Sequence, residues 1–98
     1  MKGAITIYAP YDVDIRRLNE IKGVVEKEAK ELGLRVMGPY ARNDNRICVF
    51  YEDEASKCYI YVDDYEEPLN IEKMALTIRL MATITMAEMG KVKIPANI

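Results

Sequence analysis

The sequence contains no histidine, no tryptophan and no glutamine among its 98 residues, and it has only two cysteines. Without histidine the chain lacks the commonest general base, so Ser–His, Cys–His and histidine–metal mechanisms are excluded. Cys48 and Cys58 cannot supply the four Cys/His ligands of a usual zinc site, and they form no CxxC redox pair. We therefore expect no catalytic site, no metal and no cofactor.

The sequence also has no run of eighteen uncharged apolar residues, and its first residues enter a strand-like alternation at once. We therefore expect neither a membrane span nor a signal peptide, and we expect a cytoplasmic location. The net charge of −2 provides no global field that would attract the chain to nucleic acid. A charged fraction of 31% without glutamine is a composition bias of thermophile proteins, and we expect such a source.

The length of the chain and its apolar fraction of 50% predict one compact domain over residues 1–98. Residues 4–9 alternate apolar and polar side chains, which predicts a half-buried first strand. Apolar residues then recur at helical spacing, which predicts a helix over residues 13–32 that ends at Gly33.

The predicted first helix is capped by Asp12 or Asp14, because either carboxylate can accept from free backbone N–H groups. Its opposite face carries many charged side chains, Arg16 and Arg17 among them, and opposite charges recur one turn apart. We interpret this face as solvated.

A β-hairpin is predicted in the middle of the chain. Residues 46–52 and 57–63 are both rich in β-branched and aromatic side chains, and a short polar segment connects them. Residues 38–45 contain many turn formers and are predicted to be a loop. Residues 34–37 are compatible with a short extra strand.

The predicted register of this hairpin pairs Glu52 with Lys57 and continues as a regular ladder. One face, a plausible core, would then carry Ile47, Val49, Tyr51, Cys58, Ile60 and Val62. The opposite, outer face would carry Cys48, Phe50, Tyr59 and Tyr61. The two cysteines would point in opposite directions and could not bond to each other.

A second helix is predicted from a cap at Asn70 to about Met89, with Gly90 ending it and a strand or tail beyond. Between residues 74 and 87 its only charged residue is Arg79, which makes it too apolar for a helix with one side in water. The element order β-α-β-β-α predicts an α+β fold, in which a small antiparallel sheet packs against two helices on one face.

The apolar residues of the second helix form two stripes. The first is a core face made of Ile71, Met74, Ala75, Ile78, Met81, Ala82 and Thr85. The second points elsewhere and consists of Leu76, Leu80, Ile84 and Ala87. A small domain has few elements left to cover the second stripe, so we predict a protein interface there. We expect the outer-face residues Cys48, Phe50, Tyr59 and Tyr61 to take part in it.

The acidic cluster of Asp63, Asp64, Glu66 and Glu67 precedes the second helix. It could hold a hard cation or supply paired carboxylates, but it lacks the glycine turn and the ligand spacing of a calcium loop. Carboxylates before a helix N-terminus are favoured by the helix dipole. We therefore interpret the cluster as a solvated cap and predict no metal site.

An aromatic outer sheet face also suggests an alternative function. Residues 57–62 resemble the RNP1 pattern of RNA-recognition motifs, with Tyr59 and Tyr61 in the positions of the stacking aromatics, and residues 5–8 lie where RNP2 would be. The alternative is therefore an RNA-binding module of ferredoxin-like shape that uses the exposed sheet tyrosines.

The order of elements resembles a known family, the small dimerising subunit of the KEOPS complex, which installs threonylcarbamoyl on adenosine of tRNA. The matching stretches are I-T-I-Y-A-P at 5–10, G-P-Y-A-R-N at 38–43, the hairpin at 46–63, and M-A-L-T-I-R-L-M at 74–81. The asparagine and the additional arginine expected early in the closing helix fall on Ala75 and Ile71. These departures favour a diverged paralogue that pairs with the regular subunit.

The sequence and the resemblance together predict a non-catalytic assembly or dimerisation subunit. Its partner would be a second copy of the chain or another protein subunit. The resemblance implies an indirect association with tRNA through a tRNA-modifying complex.

Overall fold

The computed structural model describes residues 3–54 and 56–93, with side chains described up to Glu88. Its elements in chain order are β1 (Ala4–Ala9), α1 (Ile15–Leu32), β2 (Arg35–Ala41), β3 (Cys48–Glu52), β4 (Lys57–Val62) and α2 (Ile71–Lys93). Within these residues, neither helix has the length and apolarity needed to span a bilayer.

The four strands form one sheet in the order β2-β1-β3-β4. The pairs β1–β3 and β3–β4 are antiparallel, as predicted, whereas β2 lies parallel to β1. A parallel neighbour requires a crossover connection, and α1 supplies it. The α+β fold with both helices against the sheet is therefore confirmed, and the short extra strand is real and makes the sheet mixed.

Strand β2 is longer than the sequence indicated, because it continues through Gly38 and Pro39, which were predicted to lie in a loop. Gly38 has a φ of 91°, and the β1–β2 register shifts at this point, between Thr6 and Tyr8. Proline is tolerated in a sheet at an edge or a bulge, and β2 provides both. Residues 38–41 therefore belong to the sheet.

The hairpin register is confirmed next to the loop and wrong further away. Glu52 pairs with Lys57 and Phe50 pairs with Tyr59, as predicted. The ladder then shifts by one residue, so that Val49 lies opposite Tyr61. The extra residue at Ile60 is a β-bulge, which changes the face on which later side chains lie.

This bulge exchanges the positions of two predicted side chains. Tyr61 packs half-buried against the core, although it was predicted on the outer face. Val62 lies opposite Cys48 and is exposed, although it was predicted in the core. Cys58 is exposed as well, because it lies at the open edge of the sheet.

Both helices are capped by the predicted side chains. The Asp14 carboxylate accepts hydrogen bonds from the backbone N–H groups of Arg16 (3.0 Å) and Arg17 (3.3 Å) at the start of α1. The C-terminus of α1 is Gly33, whose φ of 71° is left-handed. Asn70 Oδ1 accepts from the N–H of Lys73 (3.1 Å) at the start of α2.

The predicted end of α2 at Gly90 is wrong, because the helix continues to Lys93. A glycine inside a helix costs only about 1 kcal/mol relative to alanine, and the helical residues on both sides can offset this cost. The rest of the predicted final strand or tail, residues 94–98, lies outside the described residues.

The core lies between the helices and the sheet face that they cover, which we call the inner sheet face. The opposite side is the outer sheet face. The most deeply buried core residues are Ile5, Ile7 and Val49 from the strands, Ile21, Val25 and Ala29 from α1, and Met74, Ile78 and Ala82 from α2. Because these residues form one cluster, the sheet and both helices share a single core.

Gly23 gives a test of helix stability in α1. It lies on an exposed position, and a Cβ added there would meet no atom within 4 Å. We expect Gly23→Ala to raise the free energy of unfolding by about 0.5–1 kcal/mol, because alanine is the better helix former. Urea denaturation monitored by circular dichroism measures the change. A destabilised variant would mean that Gly23 is needed for a contact.

Candidate interaction surfaces

The second stripe of α2 lies on the protein surface. We call Leu76, Leu80, Ile84 and Ala87 the apolar stripe. The first three are 60%, 59% and 44% exposed, and Ala87 is exposed as well. On the opposite side of the helix, Met74, Ile78, Ala82 and Thr85 are buried. Helix α2 therefore has an apolar face in the core and a second apolar face in solvent.

Met81 and Ile71, which were predicted in the core, are both exposed.

The two threonines beside the apolar stripe have their hydroxyl groups satisfied within the helix. The Thr77 hydroxyl donates to the carbonyl of Lys73 and the Thr83 hydroxyl to the carbonyl of Arg79, both at 2.7 Å. A hydroxyl that already has a backbone partner can be covered without losing that hydrogen bond. Covering the stripe would therefore leave neither hydroxyl without a partner.

Arg79, the only charged residue between residues 74 and 87, reaches away from the apolar stripe to α1. Its Nε and Nη2 atoms donate to Glu28 Oε1 and Oε2 at 2.7 Å and 3.0 Å. The Glu28 side chain is almost fully buried. These hydrogen bonds hold the pKa of Glu28 below its usual range, although burial opposes them. The ion pair ties α2 to α1 and leaves the stripe uncharged.

A row of aromatic rings crosses all four strands on the outer sheet face. Tyr40 on β2 lies with its ring centroid 6.0 Å from that of Tyr8 on β1. Tyr8 and Phe50 on β3 meet edge to face at 5.3 Å, and Phe50 lies 4.2 Å from Tyr59 on β4. Such spacings are typical of favourable ring pairs. We call these four residues the aromatic row.

Two cationic side chains cover the middle of the aromatic row. Arg42 Cζ lies 4.7 Å from the ring centroid of Tyr8 and 5.3 Å from that of Phe50. Lys57 Nζ lies 4.4 Å and 4.6 Å from the same two centroids. These distances suit cation–π interactions. The covering explains why Phe50, although on the outer face, is only 5% exposed.

The predicted interface residues on the sheet are therefore not one continuous exposed surface. Cys48 and Phe50 are buried, and Tyr61 faces the core. Tyr59 is the member that stays exposed, at 54%. Tyr40 joins the same face, where it was not expected because residues 38–45 were predicted to be a loop.

The acidic cluster is held by an arginine. Arg17 Nε and Nη2 donate to the two carboxylate oxygens of Asp63, each at 2.7 Å, and Arg17 Nη1 donates to Glu67 Oε1 at 2.8 Å. Both Arg17 and Asp63 are buried. The interpretation of Arg17 and Asp63 as solvated is therefore wrong. This pair, which we call the Arg17–Asp63 clasp, fixes the segment after β4 to the first turn of α1.

The rest of the acidic cluster is on the surface. Lys73 Nζ lies 3.9 Å from Asp64 Oδ2 and 3.4 Å from Glu66 Oε2. The pKa of Asp64 is lowered, chiefly because its carboxylate accepts from the N–H of Glu66. Across residues 3–54 and 56–93, no three acidic or cysteine side chains are arranged to hold a metal ion.

A cavity of about 370 Å³ lies beside the Arg17–Asp63 clasp. Its polar lining consists of Asp12, Asp14, Arg17, Asp44, Asn45, Asp63, Tyr65 and Glu67. The Arg17 guanidinium in its wall already donates to Asp63, to Glu67 and to the carbonyl of Glu66. The cavity therefore borders a satisfied ion-pair network.

Comparisons of the chain with protein-family models, with curated proteins and with solved structures find no match.

The Arg17–Asp63 clasp predicts a large effect of a single substitution. Arg17→Met should lower the free energy of unfolding by about 3–5 kcal/mol, because it leaves the buried Asp63 carboxylate without its cation. Urea denaturation measures the loss. Arg16→Met is the matched control, since Arg16 is the exposed neighbour and should change stability by less than about 0.5 kcal/mol. Equal effects of the two variants would contradict the role of the clasp.

The lowered pKa of Glu28 predicts acid sensitivity. A carboxylate whose pKa is lower in the folded state stabilises the protein above its unfolded pKa of about 4.3, and this contribution disappears as the pH falls through the folded value. We therefore expect the wild type to lose more stability than Glu28→Gln between about pH 5 and pH 3. Glu26→Gln, at an exposed position of α1, should follow the wild type. Parallel curves for the wild type and Glu28→Gln would contradict the prediction.

Proposed function

We propose that the chain is a non-catalytic assembly subunit that docks onto another protein through the apolar stripe of α2. The observation that carries this proposal is the exposure of Leu76, Leu80 and Ile84 on α2. The charged residue beside them, Arg79, is turned away and forms an ion pair with Glu28 on α1. Contiguous exposed apolar surface with a polar surround is typical of protein interaction sites.

Covering the apolar stripe gives a substantial driving force. A fully buried leucine or isoleucine contributes about 1.5–3 kcal/mol relative to the same side chain in water. Leu76, Leu80 and Ile84 are each roughly half exposed. Covering them therefore contributes on the order of a few kcal/mol per copy, before the entropic cost of association.

The partner that we propose is a second copy of the chain or a related subunit. An uncharged stripe can lie against its own symmetry mate without bringing like charges together, as a two-fold interface requires. A standard interface buries about 800 Å² per partner, which exceeds what four side chains offer, so neighbouring surface must contribute. Strand β4 contacts α2 and forms an open edge of the sheet at which Cys58 is exposed, so it can do so.

The wider assembly that we propose, a KEOPS-like tRNA-modifying complex, is supported by the sequence resemblance alone. In this proposal the chain is a diverged paralogue of the small dimerising subunit and contacts tRNA through the complex. Affinity capture from the native host tests it. Co-purification with a tRNA threonylcarbamoyl transferase would support membership, and capture without any tRNA-modifying subunit would count against it.

The stripe itself is tested by two substitutions. We expect the wild type to show twice the 11.2 kDa mass of one chain in size-exclusion chromatography with light scattering. Leu80→Glu with Ile84→Glu should reduce the mass to that of a monomer, because the introduced charges would have to be desolvated at the interface. Ile15→Glu is the control, since Ile15 is 64% exposed on α1, away from the stripe.

The result that would contradict the stripe as an interface is an unchanged mass for the double variant. A monomeric wild type that also captures no protein from its host would contradict assembly altogether. Circular dichroism of each variant checks that the fold is retained, so that a loss of mass reports the contact and not unfolding.

A further inference from the structure

The outer sheet face presents two tyrosine rings at its opposite edges. Tyr40 on β2 is 45% exposed and Tyr59 on β4 is 54% exposed. The rings of Tyr8 and Phe50 lie between them in the aromatic row. Neighbouring strands are about 4.8 Å apart, so two rings separated by three strand spacings stand about 14 Å from each other. Both exposed rings are therefore open to a flat ligand, at a distance that several linked groups could span.

Two cations stand between these rings. Each pairs with a surface carboxylate in addition to its cation–π contacts, and Lys57 Nζ also donates to the Tyr8 hydroxyl at 3.1 Å. Arg42 pairs with Asp44, and Lys57 lies 3.7 Å from Glu52. The four side chains are all partly exposed to solvent. Surface ion pairs contribute little to stability, so an anionic ligand can replace Asp44 and Glu52 at small cost while the cation–π contacts remain. Arginine and lysine are the side chains that bind phosphate.

A third observation is a buried hydroxyl group beneath the aromatic row. Thr6 lies opposite Phe50 on one side and Met37 on the other, and it is only 2% exposed. Its Oγ1 has no hydrogen-bond partner among the described residues. Buried hydroxyl groups normally have a partner, because the desolvated group is otherwise unfavourable. The Thr6 hydroxyl is therefore left without a partner by the described part of the chain.

We propose that the outer sheet face binds nucleotides, with Tyr40 and Tyr59 stacking on bases and Arg42 and Lys57 contacting phosphates. Every base has a flat π-face, so aromatic side chains bind single strands with little sequence preference. A single-stranded nucleic acid fits the separation of the two rings better than a free nucleotide does. Because the chain carries a net charge of −2, the affinity depends on these local cations and falls as the salt concentration rises.

This site differs from the RNA-binding alternative that the sequence suggested. The bulge at Ile60 turns Tyr61 towards the core, so Tyr61 takes no part and Tyr40 provides the second ring. The site is also independent of the proposed assembly function, because α2 and its apolar stripe lie on the other side of the sheet. Either proposal can therefore fail without the other.

The test is fluorescence anisotropy with labelled oligouridine. We expect the wild type to bind at about 50 mM salt and to bind roughly sevenfold more weakly at about 200 mM, because two phosphate contacts to a single strand give a slope of about −1.4. Tyr59→Ala and Tyr40→Ala should each weaken binding by roughly tenfold, as expected for the loss of one stacked base. Tyr11→Ala is the matched control, since Tyr11 is 76% exposed in the turn after β1, outside the aromatic row, and should leave binding unchanged.

The role of the cations has its own readout. Lys57→Gln should reduce the slope of log affinity against log salt by about 0.7, which is the value for one phosphate contact to a single strand. Lys27→Gln, on the exposed side of α1, should leave this slope unchanged. Light scattering of Tyr59→Ala should give the wild-type mass. This result would show that the variant loses oligonucleotide binding without losing assembly.

The proposal is overturned if the wild type does not bind oligouridine at about 50 mM salt. It is also overturned if Tyr11→Ala weakens binding as much as Tyr59→Ala does. Competition with uridine monophosphate distinguishes a free nucleotide from a single strand as the ligand, since both offer a base and a phosphate. Competition by the mononucleotide at an equal concentration of nucleotide units identifies the ligand as a free nucleotide, and competition by the oligomer alone identifies it as a single strand.

Discussion

The ion pair between Arg17 and Asp63 connects the two halves of this fold. Asp63 directly follows β4, and Arg17 lies in the first turn of α1, so two hydrogen bonds of 2.7 Å join segments that are distant in the sequence. The chain leaves this point to enter α2, and Asn70 caps that helix seven residues later. Fixing the segment after β4 therefore fixes where α2 begins relative to α1 and the sheet.

A second ion pair, between Arg79 and Glu28, determines which side of α2 faces solvent. It joins the two helices about two turns further along α2, and the carboxylate partner is almost fully buried. Together with the buried side chains Met74 and Ile78, this ion pair fixes the orientation of α2 about its own axis. The uncharged face of α2 is thus kept in water by contacts on the other side of the helix, which raises the cost of turning it inward.

The sequence predicted the parts of the fold that depend on neighbouring residues. Caps at Asp14 and Asn70 and the pairing of Glu52 with Lys57 follow from local chemistry, and the structure confirms them. The exposed second stripe of α2 was also visible, because helical spacing is a local pattern. These successes cover the fold class, most of the elements and the exposure of the second stripe of α2.

What the sequence could not show depends on distant residues or on strand register. The bulge at Ile60 moves Tyr61 between faces, and nothing in the residues near it announces the extra position. Arg17 resembled its solvated neighbour because its partner is 46 positions away.

Strands β2 and β4 are the two edges of the sheet, and they differ in whether another strand can pair with them. Proline has no amide hydrogen, so Pro39 cannot donate to a further strand beside β2, whereas β4 contains no proline. Addition of a further strand is thus hindered beside Pro39, and β4 is the edge of the sheet that stays open to another strand.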